Sequence, residues 1–178
     1  MPSLAMGVGL DRHDSVTGRE LILEYQSDFS TLDGWAVPTA KTYVLVANQS
    51  IGGEDAALKI EPDSAQTDAN NYIDRFMGAD FDQYDTLGYS FDFSMRYYRD
   101  GANPFNVNLR MGFRAQSQNN TLLWGTNPSG VTGAWTTVSA SGSFSTMTGD
   151  YMSFFINSLP VASGQSLWVK DIVLRVYG

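Results

Sequence analysis

The segment Tyr89–Tyr98, YSFDFSMRYY, alternates without a break. Tyr89, Phe91, Phe93, Met95 and Tyr97 fall on one side, while Ser90, Asp92, Ser94, Arg96 and Tyr98 fall on the other. A period of two with aromatic residues on one side describes a strand with one buried face, and it is incompatible with an amphipathic helix. NVNLRMGF at 106–113 repeats the pattern, with Val107, Leu109, Met111 and Phe113 inward and Asn108 and Arg110 outward. RDGANP joins the two segments and carries Asp-Gly and Pro, so an antiparallel hairpin is expected here.

The rest of the chain follows the same habit. LILEY, TYVLVA, AALKIE, NYIDRF, TLLWG, WTTVSASGSF, YMSFFIN and LWVKDIVLRVY read as strands, separated by Gly, Ser, Thr and Asn. AQTDANN and GADFDQYD read as loops. Many short strands with turn signals between them predict an all-β fold, a single antiparallel β-sandwich or jelly roll. At 178 residues, 43% of them hydrophobic, the chain supports one core. The expected inward set is Phe29, Trp35, Leu58, Ile60, Phe91, Phe93, Leu109, Met111, Phe113, Trp135, Phe154, Ile156, Ile172 and Leu174. Residues 1–18, MPSLAMGVGLDRHDSVTG, precede the first good strand and are read as a short extended N-terminal arm, with the domain proper at 19–178.

Charge and composition exclude several functions. The net charge is −8, with 11 Lys and Arg scattered along the chain, so neither nucleic acid nor an anionic membrane is an expected partner. No apolar run approaches the length of a membrane span. The start has neither a basic n-region nor a sustained apolar h-region and is not read as a signal peptide. Cysteine is absent and His13 is the one histidine, which removes thiolate chemistry and His-rich metal sites. Acidic pairs such as Asp80 with Asp82 and Asp85 read as solvated turns, and no nucleophile motif accompanies His13, so an enzyme is not expected.

Six segments then occur in a familiar order: SDFSTLDGWAV, GGEDAALKIEP, LGYSFDFSMRYY, VNLRMGF, TGAWTTVSASGSF and LWVKDIVLRVYG. Over residues 25–178 this resembles the carbohydrate-binding modules appended to xylanases and glucanases, which have the galactose-binding-like jelly-roll fold. The resemblance implies that Trp135 packs at the entrance of a strand, as a core or rim anchor or, alternatively, as a sugar platform. It also implies a candidate structural calcium held by acidic residues of the first and last strands. Asp28 and Asp171 are the counterparts here, although Ser30 and Lys170 stand where the family pattern differs.

Sugar binding requires an aromatic face beside groups that match hydroxyls. The outward positions Asp92, Arg96, Asn108 and Arg110, with Tyr98, Trp124 and Tyr72 as platforms, are the candidate glycan-contact surface. The competing reading pairs Arg96 and Arg110 with Asp92 across the hairpin as an ordinary solvated sheet face. The Gly-rich, apolar arm resembles the docking arms of phage virion proteins. The expected role is therefore a non-catalytic binding module within a larger oligomeric assembly, such as a phage fibre, tail or capsid decoration protein. It would contact other structural subunits through the arm and present a glycan-binding face to a host surface. The alternatives are a purely structural virion or surface protein and a polysaccharide-binding module of a glycoside hydrolase system. The place of action is the virion surface in the first case and extracellular otherwise.

Overall fold

The computed structural model describes residues 19–38, 42–64, 72–76, 89–100, 109–115, 120–126, 132–143, 152–157, 160 and 162–178. Side chains are described at these positions except 76, 109–115, 120–126, 152–155 and 157. The arm at 1–18, the loops at 65–71 and 78–85, and Asn108 lie outside the described residues. All regular elements among the described residues are strands: β1 (Leu21–Ser27), β2 (Trp35–Ala36), β3 (Tyr43–Ile51), β4 (Glu54–Pro62), β5 (Tyr72–Phe76), β6 (Ser90–Arg99), β7 (Leu109–Ala115), β8 (Asn120–Thr126), β9 (Trp135–Ser143), β10 (Met152–Asn157) and β11 (Leu167–Tyr177). The two-residue strand β2 is the one the alternation does not signal.

The strands form two antiparallel sheets. One holds six strands in the order β3-β4-β11-β6-β9, with β1 also on β11; the other holds five in the order β2-β5-β10-β7-β8. Strand β11 organises the first sheet. Its start pairs with β4 through Leu167–Val169, its end pairs with β1 from Ile172 onward, and β6 runs along its other side. The apolar positions of β11 change phase midway: Leu167 and Val169 are buried, then Ile172, Leu174 and Val176. A bulge between Lys170 and Val173 resolves this, with Asp171 at φ 50°. One extra residue bends the strand and swaps the faces, so both halves turn their apolar residues inward.

The expected hairpin between β6 and β7 does not form. Strand β6 pairs with β11 and β9, whereas β7 pairs with β10 and β8 in the other sheet. Alternation determines which face of a strand is buried but not which strand lies beside it. Two strands facing each other across a sandwich core carry the same pattern as two strands of one hairpin.

The core lies between the sheets. Strand β6 contributes Phe91, Phe93, Met95 and Tyr97; β4 contributes Leu58 and Ile60; β5 and β10 contribute Ile73 and Ile156; Phe29 and Trp35 close one end. Each such side chain contributes about 1.5–3 kcal/mol on burial. Gly142 on β9 leaves room for the Phe91 ring, since a β-carbon there would lie 3.1 Å from Phe91 Cζ. Of the expected inward set, Phe29, Trp35, Leu58, Ile60, Phe91, Phe93, Ile156, Ile172 and Leu174 are buried. Trp135 is not part of this core. It pairs with Tyr98, which belongs to the outward set of β6, and it is half-buried on the outside of the six-stranded sheet. The side chains of Leu109, Met111, Phe113 and Phe154 lie outside the description.

Candidate functional site

The topology divides the expected glycan surface between opposite sides of the sandwich. Asp92, Arg96 and Tyr98 lie on the outward face of the six-stranded sheet, while Tyr72, Arg110 and Trp124 belong to the five-stranded sheet.

On the six-stranded sheet, register places Trp135, Tyr98, Trp168 and Lys59 in one row across β9, β6, β11 and β4. The Tyr98 ring lies 5.6 Å from both Trp135 and Trp168. The tip of the β3–β4 hairpin folds over this row. Trp135 Nε1 donates to Ile51 O at 3.1 Å, and Gly52 packs against Tyr98 and Trp135. Left-handed backbone at Asn48 and Ala56, beside irregular β3–β4 pairing, accompanies the bend.

An ionic cluster seals the fold-over. Both guanidinium nitrogens of Arg96 donate to Glu54, Lys170 Nζ lies 3.1 Å from Glu54, and Arg96 also reaches Asp171 at 3.4 Å. The Arg96 guanidinium sits over the Trp135 ring at 5.3 Å. Hydrogen bonds from Arg96 hold the Glu54 carboxyl below its ordinary value, against a smaller opposing push from desolvation; Lys170 adds to the lowering. Arg96 and Tyr98 are therefore engaged in fastening a hairpin. Trp135 acts here as a rim anchor.

A cavity of about 430 Å³ is lined by Asp92, Ser94, Ser139, Ser141, Val173 and Arg175, with Phe93 and Ala140. Asp92 interacts with Arg19 at 3.9 Å, while Arg96 turns to Glu54. Burial and a hydrogen bond to Asp92 push the Tyr177 hydroxyl upward.

Asp28 and Asp171 line one cavity of about 370 Å³, where β1 ends beside the β11 bulge. Asp33 lines the same cavity. Asp28 accepts the Ser30 N–H at 2.9 Å, which lowers its carboxyl, and Asp171 faces Arg96 and Lys170. Among the described residues no three acidic or histidine side chains come together as a metal site, whereas calcium takes six to eight oxygens.

The five-stranded sheet presents a different face. Ile73, Ile156, Met111 and Trp124 occupy one register row, and Ile73 and Ile156 in it are wholly buried. Trp124 pairs in register with Met111, beside a bulge in the β7–β8 pairing. Neighbouring rows belong to the opposite face, because successive residues of a strand alternate. One holds Tyr72, Asn157 and Arg110; the next holds Asp74, Phe155 and Gly112; the third holds Phe76, Ser153 and Arg114. The face away from the core therefore carries three aromatic positions, Tyr72, Phe76 and Phe155, among amide, hydroxyl, carboxylate and guanidinium positions.

Sequence reasoning named Tyr72 and Arg110 here but missed Asn157, Asp74, Phe155 and Arg114. A signal was present in YMSFFIN: with Phe154 and Ile156 inward, Phe155 is a large aromatic on the alternate face. Its significance depends on knowing that β10 lies between β5 and β7.

No protein-family model matches the chain, and no curated protein matches it. Solved structures do. The chain is similar to the CBM22-1 xylan-binding domain from Paenibacillus barcinonensis Xyn10C, with a TM-score of 0.55 and 13% identity over 89% of this chain and 95% of that one. A xylan-binding domain of CBM 22 has a TM-score of 0.56 at 13% identity, covering 86% and 94%. The CBM22-1–GH10 modules of Clostridium thermocellum xylanase 10B, complexed with xylohexaose, give 0.55 and 13% over 87% of this chain and 28% of that one. The chain has the jelly-roll sandwich fold of these carbohydrate-binding modules.

Proposed function

We propose that this chain is a non-catalytic glycan-binding module and that polysaccharide lies across the five-stranded sheet, over the face carrying Tyr72, Phe155 and Arg110. The observation supporting this is the set of three outward register rows, which combines aromatic positions with amide and guanidinium positions. Fold alone does not carry function, so the residues must. Aromatic rings offer an apolar face to sugar C–H groups, and planar multi-donor groups bridge adjacent hydroxyls. Strands hold such groups rigidly, which lowers the ordering cost of binding. The three rows hold one carboxylate position, Asp74, whereas glycoside hydrolysis uses a pair.

A role as a subunit of a phage particle, docked by residues 1–18, is suggested by the Gly-rich, apolar composition of that arm, which lies outside the described residues. Native mass spectrometry of the chain with and without residues 2–10 tests the arm's role in assembly. The binding proposal is tested by affinity electrophoresis in soluble xylan and by a glycan array. Tyr72→Ala should abolish retention, while Arg96→Ala should leave retention intact and lower the melting temperature. Equal retention of wild type and Tyr72→Ala would contradict the proposal.

A further inference from the structure

The tip of the β3–β4 hairpin is built as a separate piece. Gly52 and Gly53, at φ 62° and 79°, make the turn between Ile51 and Glu54, and the Ser50 hydroxyl donates to Asp55 across the tip. At the base the backbone is left-handed on both strands, at Asn48 with φ 54° and Ala56 with φ 58°. The β3–β4 register shifts on either side of the Gln49–Ala57 pair between them. A residue other than glycine enters the left-handed region at a cost, and such strain collects where a chain bends or switches. Burial changes at the same level. None of residues 49–55 is buried, whereas Ala57, Leu58 and Ile60 just past the base are wholly buried. The base itself is pinned, because the Asn48 N–H donates to Phe29 O at 2.9 Å. The tip therefore adds no buried side chain to the sandwich core.

Polar contacts over two rings hold the tip down. Trp135 Nε1 donates to Ile51 O, Lys170 Nζ donates to Asp55 O at 3.1 Å, and Arg96 and Lys170 both hold the Glu54 carboxylate. The Arg96 and Glu54 side chains are 28% and 31% exposed, so water and salt compete with their pairing. We propose that residues 49–55 form a hinged strap that opens as a unit about Asn48 and Ala56 while the sandwich stays folded, with Glu54 as a latch released by acid. Opening uncovers the Tyr98 and Trp135 rings and releases Arg96 and Lys170 from Glu54. The outer face of the six-stranded sheet then presents an aromatic pair flanked by two cations. The charged groups around Glu54 are Arg96 from β6 and Lys170 from β11, with Asp171 beyond them and Asp55 beside it in the tip. Hydrogen bonds from Arg96, then Lys170, hold the Glu54 carboxyl below its ordinary value. The latch is therefore complete above the ordinary glutamate value and is lost as pH falls through the depressed one.

The test uses the full chain without ligand. Hydrogen exchange of the Trp135 indole N–H, which is bonded to Ile51 O, reads the hinge. It should exchange about tenfold or more faster than the amides of Leu58 and Phe93, through an opening that urea barely affects, because little surface is exposed. Exchange of that proton only through the urea-sensitive unfolding that releases Leu58 and Phe93 would overturn the strap. Acrylamide quenching of tryptophan fluorescence reads the latch, with Trp135→Phe identifying the Trp135 share. That share should rise by about twofold as pH falls from neutral to about 4, while circular dichroism shows the sandwich still folded. Glu54→Gln should show the raised quenching already at neutral pH and no further rise in acid. The wild-type exchange decides the hinge whether or not that variant folds. Quenching that stays level until the sandwich unfolds, or a rise that persists in Trp135→Phe, would overturn Glu54 as the latch.

Discussion

Gly52 lies against the ring of Tyr98 so closely that a β-carbon on it would stand 2.9 Å from Tyr98 Cε2. The contact joins the tip of one hairpin to the outside of the sheet to which that hairpin belongs. It shows how the aromatic row of that face is used: Tyr98 and Trp135 form a small second core under the tip, sealed by Glu54 and Arg96.

Gly52→Ala should therefore destabilise the protein by about 1–3 kcal/mol. The backbone at φ 62° disfavours any β-carbon, and the ring cannot move without disturbing Trp135. Gly53, at φ 79° with open space around it, should show the backbone penalty alone and lose less under the same substitution. Urea unfolding of the two variants measures the difference.

The Glu54 cluster makes the tip pH-sensitive. Because Arg96 depresses the Glu54 pKa, the folded state binds this proton less readily than the unfolded state does. The stabilisation is complete above the ordinary glutamate value and is lost as pH falls through the depressed one. Glu54→Gln should lower the melting temperature at neutral pH, and the gap from wild type should close below about pH 4. A gap that persists unchanged at acidic pH would assign the effect to packing.

Tyr25 and Trp35 give an opposite pH signature. Trp35 Nε1 donates to the Tyr25 hydroxyl at 2.9 Å, and that hydroxyl donates to Asp33 at 2.9 Å. Burial pushes the hydroxyl up to about 12. The unfolded state ionises first, so stability should fall as pH rises from about 10 toward 12. Tyr25→Phe should remove that slope. It should also cost about 1–3 kcal/mol at neutral pH, by leaving the buried Trp35 N–H without its acceptor. Melting temperature against pH for both proteins checks both parts.

What the sequence shows most clearly is the face each strand buries. The alternation in β6 identifies Phe91, Phe93, Met95 and Tyr97 as inward. The two apolar phases of β11 identify Ile172 and Leu174, although only the structure shows the Asp171 bulge that reconciles them. Neighbours are far less legible. The turn-rich link between β6 and β7 suggests a hairpin, and the chain instead crosses from one sheet to the other. That crossing separates Arg96 from Arg110 and divides the candidate site. Trp135 shows the same limit, because an indole at a strand entrance suits a core, a rim or a sugar platform. The folded-over tip of β3–β4, built from distant Gly52 and Glu54, determines which. Phe155 is the converse case: it is visible as an outward aromatic but carries no meaning until β10 is known to lie between β5 and β7.

The central claim is that glycan binds across the five-stranded sheet. The most direct measurement is backbone amide NMR during titration with whichever oligosaccharide the array identifies. The largest shifts are expected at residues 72–76, 110–114 and 153–157, with residues 94–98 and 135–139 of the opposite sheet unmoved. Shifts concentrated at Arg96, Tyr98 and Trp135, with Tyr72 and Phe155 unaffected, would contradict it.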